Sequence, residues 1–364
     1  MSWTHTLHPM RPHSLAFLHR LLDAPGPSGF ETVPARLWRT EAETIADEVE
    51  ADVSGNSRAV LNPAGRPRVM FAGHIDEIGL MVSHVDDDGF LSFLAIGGWD
   101  PQVLVGQRIT LAGHGESVAG VIGRKPIHLI KADEKDKAMK ISDLWIDIGA
   151  KSKKDALRRV RVGDPGVVAA AALPLPNGRL ASRSIDNRIG AFVVLEALRL
   201  LRRRRPKAAV HAVATTQEEI GWFGGGARTS ATGLEPTVAL VVDVTHATDH
   251  PGADKKEVGD IRLGTGPVLS RGSAVNPVVF ELLAETAERE KIPYQLQAAP
   301  RDTGTDADAI ATSHRGVATG LVSVPNRYMH SPNEMVDVAD LERAAALLAA
   351  FARRVTPATD FTPR

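Results

Sequence analysis

Between Gly79 and Leu175 the sequence consists of short β-prone runs broken by Gly97-Gly98, Gly106, Gly113, Gly115, Gly120 and Gly123, whereas on both sides apolar strand-like runs alternate with helical ones. Glycines at this density forbid a long helix and put turns between strands. An all-β segment, 79–175, is therefore expected inside a chain whose outer parts, 1–78 and 176–364, carry the strand–helix alternation of a parallel α/β fold. With 364 residues there is room for both.

The outer elements read as follows. A helix is expected over Glu31–Ala46, with Pro34 in its first turn, and the run Pro67–Phe71 is a strand that leads into Gly73-His74-Ile75-Asp76. Ile189, Phe192, Val193, Ala197 and Leu200 form an amphipathic stripe; 209–214, 237–245 and 317–324 read as buried strands and 278–291 as a helix. Asp337 is placed to cap a last helix marked by Leu341, Ala345, Leu348 and Phe351. Arg202 to Arg205 close a helix before Pro206, where cations complement the helix dipole. The charge run Lys131–Lys140 reads as a solvated loop, and Asp86–Gly89 as a hairpin turn, since it lacks the later ligands of a calcium loop. Gly224-Gly225-Gly226 is no dinucleotide fingerprint; close approach to a substrate and tight helix packing both fit it.

Composition narrows the chemistry. There is no cysteine, so disulfides, thiolate metal sites and thiol nucleophiles are excluded, and any metal must sit on His, Asp and Glu. The 43 Lys and Arg against 44 Asp and Glu argue against a polycationic nucleic-acid surface. Apolar runs such as Gly166–Leu173 fall far short of the ~18 residues of a membrane span. The first residues, with His5, His8, Arg11, His13 and His19, offer no apolar signal core. A soluble cytoplasmic protein is expected, with no nucleic-acid or membrane partner.

Its polar residues gather where apolar strands end: His74 and Asp76, Glu218 and Glu219, Asp243 between Val242 and Val244, and His330 after 321–324. Strand ends are where open α/β sheets bind ligands. Asp243 would be costly to bury ionised without a pairing charge or metal. Taken singly, a His at a strand end is usually a satisfied polar group, and Asp186 at a helix start an N-cap. Two His and three acids at element ends share one chemistry, however: they suit zinc, cobalt or manganese, with Asp186 able to bridge two ions. Adjacent side chains leaving a strand diverge, so one of Glu218 and Glu219 can ligate while the other acts as general base. In His74-Ile75-Asp76 the outer residues share a face, so Asp76 can hold the imidazole from behind. His211, His246 and His314 have no assignment.

The motifs Gly73–Val82, Ile185–Gly190, Thr216–Gly221, Val242–Thr245, Gly304–Asp306 and Arg327–Glu334, in this order, resemble the tetrahedral and glutamyl aminopeptidases of metallopeptidase family forty-two. The resemblance runs from about Leu15 to Phe351. It implies a three-layer α/β/α catalytic domain (1–78 and 176–364) with an inserted small β-barrel-like domain (79–175) used in dimerisation. It also implies homo-oligomers, often dodecamers, and two divalent ions, zinc or cobalt. Carried over, His74 and Asp243 hold one metal, Glu219 and His330 the other, and Asp186 bridges them. Glu218 is then the general base and Asp76 the support of His74. The substrate would be a short peptide with a free N-terminus. Two departures stand out. Gly221-Trp222-Phe223-Gly224-Gly225 lacks the Arg usual after the glutamates, which shifts the expected preference from acidic toward apolar residues. Asn187 stands where a second Asp is more usual, but Asp186 is kept.

Two enzymatic rivals remain in view. An endoglucanase needs two carboxylates facing each other about 5–9.5 Å apart and has no use for the histidines. A dinuclear deacylase or carboxypeptidase would want a fixed cation, for which Arg188 and Arg301 are available.

Overall fold

The structure is a computed structural model that describes residues 10–131, 137–221 and 223–364. His5, His8, Trp222 and the middle of the Lys131–Lys140 run lie outside the described residues. In chain order the strands are β1 (Glu48–Ala51), β2 (Ser57–Leu61), β3 (Arg68–His74), β4 (Gly79–Val85), β5 (Leu91–Ile96), β6 (Arg108–Ala112), β7 (Ser117–Arg124), β8 (Leu144–Asp147) and β9 (Pro165–Val168). They continue with β10 (Leu173–Leu175), β11 (Arg179–Ser182), β12 (Ala209–Thr215), β13 (Val238–His246), β14 (Val268–Gly272), β15 (Gln295–Ala299), β16 (Ala318–Asn326) and β17 (Glu334–Asp337). Among the described residues the main sheet has eight strands in the order β1-β2-β12-β3-β13-β16-β14-β15. Its centre, β12, β3, β13 and β16, is parallel.

Parallel strands must be covered on both faces, and their residues divide accordingly. Val69 and Phe71 of β3 join one apolar cluster, and Met70 and Ala72 join another on the opposite face. The first cluster is closed by the helix Ile185–Arg203, the second by the helices Gly225–Leu234 and Asp306–Ala311. The three-layer α/β/α expectation is met. Ile185–Arg203 is buried nearly all round rather than along one stripe, because the helices Pro12–Asp23 and Val338–Arg354 pack on its outer side. Its C-terminal Arg202 donates to the Ile45 carbonyl at 2.5 Å. Asp337 does cap the last helix, accepting the N–H of Ala339 at 2.8 Å.

One helix ends earlier than expected, and another was not expected at all. The helix read as Glu31–Ala46 is Thr32–Ala42, ending where the chain turns so that Ile45 can enter the core. An additional helix, Pro12–Asp23, precedes it; Pro12 opens the helix and Phe17, Leu18, Leu21 and Leu22 supply the buried face.

Strands β4, β5, β8, β7, β6 and β9 close into a barrel around Leu80, Val82, Leu91, Phe93, Ile109, Leu111, Ile122 and Ile146. Closure leaves no free edge within it. Asp86–Gly89 forms the β4–β5 turn, with the Gly89 N–H bonded to the Asp86 carbonyl at 3.1 Å. The barrel hangs directly from the end of β3, and Gly79 is required there, since a Cβ would lie 2.5 Å from Pro27 Cβ. β10 belongs to the other body, pairing with β11 in a small sheet completed by β17.

Candidate metal centre

The carboxyl ends of β3, β12, β13 and β16 meet on one side of the sheet. β3 ends on His74, β12 delivers the loop with Glu218 and Glu219, β13 carries Asp243, and the turn after β16 carries His330. Asp186 comes from the start of the helix Ile185–Arg203, where Asp186 and Asn187 have non-helical backbone angles. It caps nothing: its Oδ1 lies 3.2 Å from His74 Nε2 and its Oδ2 lies 3.4 Å from His330 Nε2. Two groups capable of holding a cation result, His74 with Asp186 and Asp243, and Asp186 with Glu219 and His330, each with ligand atoms within 4.8 Å of one another. Asp186 is common to both. Glu218 stands beside them without belonging to either, its Oε2 3.6 Å from His74 Nε2.

Asp76 lies on the far side of His74, with its Oδ1 3.3 Å from Nδ1, and its Oδ2 accepts the backbone N–H of Glu219 at 3.1 Å. One carboxylate thus orients two of the candidate ligands. All seven residues singled out from the sequence are brought together.

Burial and like charges raise most of these acids, whereas hydrogen bonds from the imidazoles lower Asp186. Glu218 and Asp243 are raised well above the usual carboxylate range, first by burial; Asp306 adds to both, Asp243 to the first and Asp186 to the second. Glu219 is raised to about 7 by burial and then Asp186, against the pull of His330. Burial acts the same way on Asp186, but hydrogen bonds from His330 and His74 outweigh it and hold this carboxyl below its usual range. His74 is raised despite its burial, by Glu218, Asp76 and Asp186, and His330 to about 11 by Asp186 and Glu219. Such a cluster holds more buried carboxyl groups than its two imidazoles can balance. Glu219 Oε1 is moreover buried without a hydrogen-bond partner. Nitrogen and oxygen donors in these sets, a deficit of positive charge and an orphaned carboxylate oxygen all fit divalent cations.

Sequence reading assigned no role to three acids here. Glu334 accepts the backbone N–H of Asp186 on Oε2 at 2.9 Å and that of His330 on Oε1 at 2.8 Å. Asp306, raised to about 6 chiefly by burial, accepts the Thr215 hydroxyl at 2.5 Å and lines the cavity beside Glu218. Glu31, raised to about 7 by burial and Asp76, takes the N–H of Gln217 at 3.1 Å and so steadies the residue before Glu218. Gln217 is itself in the left-handed region, φ +63°, as is His330 at +58°. Of the unassigned histidines, His246 lines the cavity, whereas His211 is buried on β12 and depressed to about 3 by burial and nearby arginines.

Beneath the site, Arg188 is fully buried and spends its guanidinium on Glu77 and the carbonyls of Leu21, Ala24, Gly26 and Ile75. Asn187 uses both ends of its amide, Nδ2 donating to the Val242 carbonyl at 2.7 Å and Oδ1 accepting the Gly190 N–H at 3.0 Å. An ionised Asp has no donor for the first bond, so Asn is the better residue at this position. The glycine run is a packing device: a Cβ on Gly226 would sit 1.9 Å from Asn56 Oδ1.

A cavity of about 910 Å³ opens over Asp186, Glu218, Glu219, Asp243 and His330. It is large enough for several residues of a peptide. Phe223 and Gly224 stand on its wall; Phe223 is 78 % exposed.

The chain is 37 % identical to a lysyl aminopeptidase of Pyrococcus furiosus over 350 residues, 95 % of this chain and 98 % of that one. It superposes on a TET aminopeptidase from a marine sediment Thaumarchaeota archaeon with a TM-score of 0.90 at 35 % identity, covering 95 % of this chain and 97 % of that one. For the TET1 peptidase of Pyrococcus horikoshii, described as assembling into a tetrahedron or a large octahedral shell, the TM-score is 0.83 at 29 % identity over 94 % and 100 % of the two chains. The family model for M42 glutamyl aminopeptidases matches residues 55–347, across the β3, β12, β13 and β16 ends that form the cluster, and the chain therefore belongs to that family.

Proposed function

We propose that the protein is a dinuclear metal-dependent aminopeptidase that removes N-terminal residues one at a time from short peptides. The observation that carries this reading is Asp186, whose two oxygens face one imidazole each between two three-residue sets of ligands. His74 and Asp243 would hold one cation, Glu219 and His330 the other, with zinc and cobalt the best fits to these donors. When bound, two such ions acidify water and stabilise the charge that develops on the cleaved carbonyl. Glu218, outside both ligand sets and facing the cavity, takes the proton of the attacking water and passes it to the departing amine. Asp76 keeps the His74 Nε2 turned toward the cluster.

Two further readings of the chain belong here. The segment 79–175, apart from its last three residues in β10, is proposed as a separate inserted domain used for dimerisation. Leu94, Val121, Ile127 and Leu129 are exposed on it, which supports a buried role in a homo-oligomer, up to the dodecamer. An apolar preference at the N-terminal residue is proposed from Phe223 on the cavity wall, where the family often has a cation. The carboxypeptidase alternative loses Arg188, which is sealed under the site. The endoglucanase reading gains nothing from two imidazoles among the carboxylates and is less supported.

An apolar tetrapeptide, free and N-acetylated, tests the reading when incubated with chelator-stripped protein resupplied with zinc or cobalt. Stepwise loss of N-terminal residues from the free peptide alone, and with metal alone, is expected by mass spectrometry. Cleavage confined to the acetylated peptide would point instead to a deacylase.

A further inference from the structure

The ligands of the two proposed cation sites are not equally well held. His74 and Asp243 lie on β3 and β13, strands locked between neighbours in the centre of the sheet. His330 lies in the connection between β16 and β17, in the left-handed region, and Asp186 has non-helical angles just ahead of its helix. Both of these backbones end on the same side chain. Glu334, 1 % exposed, accepts the Asp186 N–H with one oxygen and the His330 N–H with the other.

Glu334 is itself fixed from two sides. It opens β17, where it pairs with Ser182 of β11, four residues before Asp186. Its neighbour Met335 exchanges both backbone hydrogen bonds with Arg327, at 2.9 and 3.0 Å, three residues before His330. The carboxylate therefore joins the segment carrying the bridging acid to the segment carrying the loop histidine.

We propose that Glu334 is a positioning residue that sets the geometry of the Asp186–Glu219–His330 site, and that its loss weakens this site more than the one built on the strands, which keeps His74 and Asp243 in place when the shared Asp186 moves. The proposal rests on the dinuclear reading above. In Glu334→Gln one acceptor oxygen becomes an NH₂ that opposes a backbone N–H, so either Asp186 or His330 is released from its tether.

Equilibrium dialysis of metal-free protein against Co²⁺, with elemental analysis, tests it. Wild type is expected to take up two equivalents. Glu334→Gln is expected to bind the weaker equivalent about 10- to 100-fold less tightly, the usual size of an effect transmitted through a supporting group, and to lose less affinity at the stronger one. Turnover of the variant should recover as Co²⁺ is raised. Glu334→Asp, one methylene too short to reach both N–H groups, should show the same selectivity and serves if the Gln variant does not fold. A second site within twofold of wild type, or equal weakening of both sites in a variant whose metal-free unfolding is unchanged, would overturn the proposal. Fewer than two equivalents in wild type overturns the dinuclear reading, and the proposal with it.

Discussion

Glu218→Gln is expected to retain both cations and to lose turnover by about 10²- to 10⁴-fold, the range for removing a general base. Glu218 faces the cavity beside both ligand sets but is part of neither. Burial first, then Asp243, Asp306 and Glu219, raise its pKa well above that of an ordinary glutamate, although His74 pulls the other way. At this position a carboxylate can take a proton from water and later give it to an amine. The Gln side chain has the same shape and cannot accept that proton. Metal content by elemental analysis and kcat on the free tetrapeptide separate the two effects. Near-normal turnover would mean that another residue is the base.

Asp186→Asn should act on metal rather than on proton transfer, and on both sites together. One oxygen of Asp186 faces His74 and the other faces His330. An amide offers one oxygen, no charge, and an NH₂ aimed at an imidazole nitrogen. Both affinities should fall by more than the roughly 100-fold upper range expected of a supporting residue, and activity at micromolar cation should vanish. The contrast with Glu334→Gln is the informative part: one variant weakens both sites alike and the other weakens mainly one. Retention of two tightly bound ions by Asp186→Asn would remove this residue from the bridging role.

Much of this arrangement is legible in the chain because it is written locally. Val69–Ala72 and Val238–Val242 are apolar runs that read as buried strands, and the polar residues that follow them, His74 and Asp243, inherit a position toward the strand ends. The divergence of Glu218 and Glu219 and the shared face of His74 and Asp76 are consequences of backbone geometry alone. Glu334 is different. It precedes a short strand like many acids do, and its meaning depends on a partner 148 residues away. Asp306 and Thr215, 91 residues apart, pose the same problem, since no periodicity encodes a contact between a loop and a strand end. The helix Pro12–Asp23 hides behind His13, His19 and Arg20, whose polarity masks a buried face of Phe17, Leu18, Leu21 and Leu22. The glycine-rich texture of 79–175 announces strands, while the pairing of β4 with β9 that closes the barrel is a long-range event.

Crystals soaked in cobalt and measured on either side of its absorption edge would locate the ions themselves. Two anomalous peaks are expected about 3.5–4 Å apart, one among His74, Asp186 and Asp243, the other among Asp186, Glu219 and His330. A single peak, or peaks away from Asp186, would contradict a bridged pair of cations at the strand ends.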